Sequence, residues 1–226
     1  MRIKLNINKL FEIIPNWYTV EYQKLYILTN NKPIEFIQLL KEICTKLDIS
    51  YSNWLDIGCG NGTLVYLLNQ RGISTSGIDV EFKPGEYVSE LLISKKIKQI
   101  KSPNDKRNSI INEQGIYEWP IEDNSINFAF SSSVLEHVIN PIQFIQENKR
   151  ILKKGGLTLH YLPSKFALIE PHIGIPFGGL LQNKIYFKLC CNLGICFKKY
   201  RRKSHDAYDY MLKATNYFEK KKLVKL

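Results

Sequence analysis

The stretch Asn53 to Leu64, NWLDIGCGNGTL, narrows the fold more than any other part of the chain. A short apolar run ends at Asp56 and passes into a turn carrying Gly58, Gly60 and Gly62. A helical pattern follows at once. In open α/β sheets, a strand, a glycine turn and a helix in that order build a ligand crevice at the carboxyl ends of the strands. Glycine in the turn permits positive φ and lets a ligand approach the bare backbone. The dinucleotide fingerprint G-x-G-x-x-G fails here, because its third glycine falls on Thr63. What stands instead is D-x-G-x-G-x-G. A second apolar run ends at Gly77-Ile78-Asp79, and an acid so placed can accept hydrogen bonds from ribose hydroxyls.

Further along, Trp119 to Val138 reads WPIEDNSINFAFSSSVLEHV. Asp123-Asn124-Ser125 is a turn, Ile126 to Phe130 a buried strand, and Ser131 to Ser133 its carboxyl end. Together with the glycine turn and the two acids, this block resembles the class I S-adenosylmethionine-dependent methyltransferases of the type 11 group. The resemblance covers roughly Asn53 to Pro163. It implies a Rossmann-like, doubly wound and mainly parallel α/β sheet, with S-adenosyl-L-methionine as cofactor. Asp56 and the turn residues Gly58, Cys59, Gly60 and Gly62 would hold the methionine end. Asp79, with Val80 beside it, would take the ribose, and Ser131 would close the crevice from the fourth strand. Many relatives carry an acid near the adenine, five residues before the proline of their LPF stretch. The matching position here is Gly115, which leaves the backbone of Gly115 and Ile116 for the adenine.

Taken in order, residues 1–50 read as an amino-terminal helical cap. Its aromatics Trp17, Tyr18, Tyr22 and Tyr26 are placed as sheet packing or as a lid. Within it, Phe36, Ile37, Leu40, Ile43, Cys44 and Leu47 follow helical spacing from Pro33 to Leu47. Residues 51–163 form the cofactor-binding core. The strand ending at Asp56 is followed by a helix over Thr63 to Gln70, and Ser74 to Asp79 forms the second strand. Tyr87 to Ile97 has a weak helical pattern, and a third strand is expected within Ser109 to Tyr117. A helix starting at Asn140-Pro141 should run to Lys153-Lys154 and stop at Gly155-Gly156. Leu157 to Leu162 is the fifth strand. Residues 164–203 form a substrate lid or insert, and 204–226 the final helix. The expected sheet has five strands in the order 3-2-1-4-5. The usual carboxyl-terminal hairpin is missing, so the edge of the fifth strand needs the insert or another molecule to cover it.

A chain of 226 residues that is 44% hydrophobic can bury one sizeable core. Its start lacks the pattern of a secretory leader, and no run of 18 apolar residues suggests a membrane span. The five cysteines include no C-x-x-C pair, so reduced thiols in a cytoplasmic setting are expected, with no metal site. The formal charge of +11 is spread along the chain. One basic cluster, KKYRRK at 198–203, follows the apolar insert, and that combination can meet an anionic surface. Peripheral contact of 165–203 with the inner membrane surface is therefore carried as a reading. Nucleic acid is disfavoured, because no reading module accompanies the charge.

Methyl transfer asks the protein to align an acceptor and exclude water, with a general base where the acceptor is a hydroxyl. Of four histidines, His172 in the loop EPHIGIP lies on the substrate side, and His137 follows the fourth strand. They are the candidate catalytic residues, in that order; His160 reads as core. The acceptor expected is a small molecule, a sugar or a lipid-linked intermediate. The alternative is a non-catalytic scaffold or partner subunit on the same fold, motivated by Gly115 and the missing strands.

Overall fold

The computed structural model describes residues 33–101, 116–162 and 165–215, with the backbone of Trp17–Tyr18. The expectations for Tyr22, Tyr26, Gly115, Pro163-Ser164 and the chain beyond Thr215 lie outside these residues, as do the side chains of Trp17 and Tyr18. Six strands and six α-helices can be followed among them. They are β1 (Trp17–Tyr18), α1 (Pro33–Lys46), β2 (Trp54–Ile57), α2 (Thr63–Asn69), β3 (Thr75–Asp79) and α3 (Val88–Ile93). Then come β4 (Ile97–Gln99), β5 (Ile126–Ser132), α4 (Pro141–Ile151), β6 (Leu152–Tyr161), α5 (Lys184–Asn192) and α6 (Ser204–Ala214).

The strands form one sheet in the order β1-β6-β5-β2-β3-β4, and every pairing is parallel. From β2 outward this is the expected 3-2-1-4-5 arrangement, with one addition. The exposed edge of β6 is paired by β1, where Trp17 and Tyr18 register with Thr158 and Leu159. The amino-terminal segment thus supplies an edge strand, and the insert does not.

Alternation along the strands splits the core between two faces. Trp54, Phe128, Phe130 and Leu159 point toward α1 and α2, where Phe36, Leu40 and Leu68 meet them. Leu55, Ile57, Ile78 and Ala129 point toward α4, where Phe144 and Ile151 close the other side. Trp54 is fully buried, with its ring edge-on to Phe128 and Phe130 and its indole N–H donating to the Ser50 carbonyl at 2.8 Å. A separate small core lies in the insert: Ile173, Ile175, Phe187 and Cys191 pack on Ala207 and Met211 of α6.

Two boundaries differ from the sequence reading. The third strand of the expected five is Ile97–Gln99, whose first residue falls at the end of the helical pattern read over Tyr87 to Ile97. Of the window expected to hold it, residues 109–115 lie outside the described set, and Ile116 and Tyr117 are not in a strand. Helix α4 stops at Ile151, and Lys153, Lys154, Gly155 and Gly156 belong to the irregular start of β6. Gly155 has φ +80°, the pairing with β5 shifts register there, and a Cβ on Gly156 would lie 2.9 Å from the Lys153 carbonyl oxygen. These glycines permit a bulge rather than ending a helix.

Replacing Trp54 with alanine removes the largest side chain of this core and leaves a cavity between sheet and α1. Urea denaturation should show a loss of about 3–5 kcal/mol, with the denaturant slope unchanged.

Candidate active site

The chain leaves β2 through three glycines in left-handed conformations: Gly58 at φ +76°, Gly60 at +56° and Gly62 at +72°. At Gly58 the requirement is also steric, because a Cβ there would lie 2.2 Å from Val134 Cγ2. The turn is tied to the neighbouring strand. Gly58 and Cys59 N–H groups both donate to the Ile78 carbonyl, at 2.7 and 3.1 Å. Beyond β3, one oxygen of the Asp79 carboxylate accepts from Gly60 N–H at 2.7 Å and the other from Glu81 N–H at 3.0 Å.

Above this turn is a cavity of about 620 Å³. Asp56, Gly58, Cys59 and Gly60 line it from the first turn, and Asp79, Val80 and Glu81 from the end of β3. Ser132, Ser133 and Val134 reach it from β5, and His137 from the short 3-10 turn Leu135–His137. Tyr117, Trp119 and Phe144 form another part of the wall. The insert closes the space with Pro171 and His172, and α6 contributes Tyr210.

The Tyr117–Trp119 wall is held by side chains of α4. Gln143 pairs with both backbone groups of Tyr117: its Oε1 accepts from Tyr117 N–H at 2.7 Å and its Nε2 donates to Tyr117 O at 2.9 Å. Arg150 donates to the Trp119 and Ile121 carbonyls while bridging Glu147 and Asp123. An otherwise irregular segment is therefore fixed without being a strand.

Asp56 is buried. Desolvation, and then the nearby Asp79 carboxylate, raise its pKa to about 8. Burial pushes the Cys59 thiol well above its usual range, so it is no nucleophile. The five cysteines are all free. Where the insert meets the cavity, Glu170 is almost fully buried and organises its loop. One carboxylate oxygen accepts from the backbone N–H groups of His172 and Ile173, at 2.8 and 2.7 Å; the other is 2.6 Å from His172 Nδ1. The His137 and His172 rings meet edge-on, with centroids 5.2 Å apart.

Of the residues expected from sequence, Asp56, Gly58, Cys59, Gly60, Asp79, Val80, His137 and His172 come together on this cavity. Gly62 is placed as the left-handed cap of α2, where a Cβ would strike Leu91, and it does not line the space. Ile116 is exposed and outside the lining, and Gly115 lies outside the described residues. Ser131 is buried away from the cavity. Its hydroxyl bonds His160 Nδ1 at 2.8 Å, and His160 Nε2 meets the Thr158 hydroxyl at 2.8 Å. Thr158 gives its own proton to Asn148, so His160 carries its proton on Nε2. Burial lowers the His160 pKa to about 3, and this imidazole is a neutral core group. The serines at the cavity are the next two, Ser132 and Ser133.

Among the residues that escaped the sequence reading as site groups are Glu136, Tyr210 and the wall residue Trp119. Glu136 was visible only as part of VLEHV. It is 0% exposed, and neither carboxylate oxygen has a hydrogen-bond partner among the described residues. Burial is the main cause that raises its pKa to about 8.

Residues 55–159 match the methyltransferase domain family. This match covers a little under half of the chain. A tRNA U34 carboxymethyltransferase from Idiomarina loihiensis is 31% identical to it over 110 residues, 48% of this chain and 32% of that protein. A ubiquinone biosynthesis O-methyltransferase from Xanthomonas oryzae is 26% identical over 168 residues, 68% of this chain and 66% of that protein. The structure of a SAM dependent methyltransferase from Aquifex aeolicus is 19% identical, with 66% of this chain and 74% of that chain covered and a TM-score of 0.41. The chain spans about a quarter to two thirds of the length of the curated relatives it matches.

The site suits the family's cofactor on three counts. The turn at Gly58 and Gly60 offers bare backbone beside open space. Each Asp79 oxygen uses one lone pair on a backbone N–H and retains another for a hydroxyl. Asp56 is a buried acid whose ionisation a cationic amino group would restore.

The raised pKa of Asp56 gives stability a definite pH dependence. Unfolded, this acid loses its proton near 3.9; folded, it keeps it up to about 8. The folded state binds the extra proton between those values, so stability falls as pH rises through that window, by up to about 1.4 kcal/mol per pH unit for each such group. Urea unfolding at pH 5 and pH 8 should show the fall, and Asp56→Asn should make it shallower, leaving the share due to Glu136.

Proposed function

We propose that this chain transfers the methyl group of S-adenosyl-L-methionine to a hydroxyl of a small molecule, sugar or lipid-linked intermediate. The reading is carried by one observation: Asp56 and Asp79 converge on a single open cavity that also receives His137 and His172. Asp79 would hold the ribose hydroxyls, and the backbone at Gly58 and Gly60, with Asp56, the methionine end. Val80, Tyr117 and Trp119 offer apolar contact to the base. When bound, the cofactor supplies an electrophilic methyl carbon on a sulfonium.

The work left to the protein is alignment and the handling of one proton. His172 is oriented by Glu170, which takes its Nδ1 and fixes the ring. Its Nε2 then remains for chemistry in the cavity. His172 and, second, His137 are the groups we assign to the acceptor's proton. Oxygen methylation is named for the Xanthomonas relative; the insert adds a reason to consider apolar or lipid-linked acceptors. On α5 and its C-cap, Ile185, Leu189 and Leu193 are 79, 57 and 65% exposed and recur every four residues on one face, while Phe187, Cys190 and Cys191 fill the small core behind them. Lys184 and Lys188 share the helix, and Lys198, Lys199, Arg201 and Arg202 follow closely. An apolar stripe among basic residues suits an anionic membrane surface. Among the described residues, no helix is long and apolar enough to cross one.

Calorimetry tests the cofactor assignment. S-adenosylmethionine and its demethylated product should bind and NAD should not. Asp79→Ala should weaken binding about 10- to 100-fold, as expected for loss of hydrogen bonds to a charged group. Absence of binding heat for either cofactor form would favour a non-catalytic scaffold. Vesicle sedimentation tests the surface: the protein should pellet with anionic but not neutral lipid, less so at high salt and less so as Leu189→Glu.

A further inference from the structure

Glu136 is difficult to explain as a packing residue. It is fully buried beside the cavity, yet among the described residues nothing donates a hydrogen bond to either oxygen. A buried carboxylate in that condition is disfavoured unless a positive group compensates it. Two imidazoles are its neighbours. One ligand atom each from Glu136, His137 and His172 lies within 4.8 Å of the others. A second carboxylate, Glu170, backs His172 through Nδ1.

We propose that Glu136, His137 and His172 form a binding site for a divalent first-row transition cation, with Glu170 as the positioning residue behind His172. This rests on the methyl-transfer reading only for the purpose of the cation, and not for its binding. The donor set decides the class. Two imidazoles and one carboxylate suit zinc, cobalt, manganese or iron, whereas magnesium and calcium prefer all-oxygen cages. The backing carboxylate has the form of the partner that orients metal-bound histidines and raises their basicity. Ligands about 2.1 Å from a common ion lie about 3 to 4 Å from one another, so small rotations of the two rings close the set. His137 is exposed.

Three protein ligands leave coordination positions open toward the cavity, the arrangement of catalytic rather than structural sites. A hydroxyl bound there becomes more acidic. The cation would thus be the means by which the two histidines manage the acceptor's proton, as ligands instead of as free bases. It also supplies positive charge beside Glu136, whose oxygens have no donor among the described residues.

The test uses the full-length chain, free of any histidine tag and stripped with a chelator, titrated with Co²⁺. Equilibrium dialysis should give one equivalent, and visible absorption should show the bands of cobalt with nitrogen ligands. Glu136→Gln and His172→Ala should each weaken uptake by about tenfold or more. His137→Ala should do the same, and its exposed position keeps the fold out of question. His205→Ala, on the surface of α6, should bind as the unaltered protein does. Uptake that is absent, or unchanged in all three site variants, would overturn the proposal. S-adenosylhomocysteine is titrated separately into the metal-free protein. Heat from it without site-specific cobalt uptake would remove the cation and leave the methyl-donor reading; triad-dependent cobalt uptake without that heat would do the reverse.

Discussion

The hydrogen bonds from Gly60 and Glu81 N–H to the two oxygens of Asp79 join the ends of two neighbouring parallel strands. Without them, the glycine turn has no reason to stay open. Its three left-handed residues are each accessible to glycine at little cost, but a flexible turn alone would sample many shapes. The carboxylate selects one, in which the backbone curves around space instead of filling it. The Ile78 carbonyl, accepting from Gly58 and Cys59, fixes the other side of the bend. A ligand that uses the remaining lone pairs of Asp79 therefore meets a site already formed.

The same region concentrates unfavourable burial. Asp56 is withdrawn from water close to Asp79, and Glu136 is withdrawn close to Glu170. Each is a place where folding alone would favour a neutral side chain. Under the proposed assignments each would take a cation of different origin: an amino group at Asp56, a metal ion at Glu136. The far side of the cavity is walled by an insert that brings its own small core.

Much of this could be read from residues. The two acids and the glycine turn needed only local order, because strand, turn and helix are consecutive and the period changes at Gly58. His137 and His172 could be placed by their position after strand ends. What failed did so for physical reasons. Ile97–Gln99 has three residues and only Ile97 is buried, too little for alternation to show. Lysines followed by two glycines at 153–156 imitate a helix end, although the close approach of Gly156 to neighbouring carbonyls makes them a bulge. Ser131 was one residue away from the cavity, an error that the pleat turns into the wrong face. Glu136, Trp119 and Tyr210 acquire their meaning from contacts made far along the chain. No local signal marks a carboxylate that will be left without donors.

The central claim is that the space between Asp56 and Asp79 holds the methyl donor with its sulfur toward the histidines. A crystal structure with S-adenosylhomocysteine bound measures this directly. The account predicts ribose hydroxyls on Asp79, the amino group at Asp56 and the sulfur facing His137 and His172. A ligand bound elsewhere on the chain, or a cavity closed by side chains between the two acids, would contradict it.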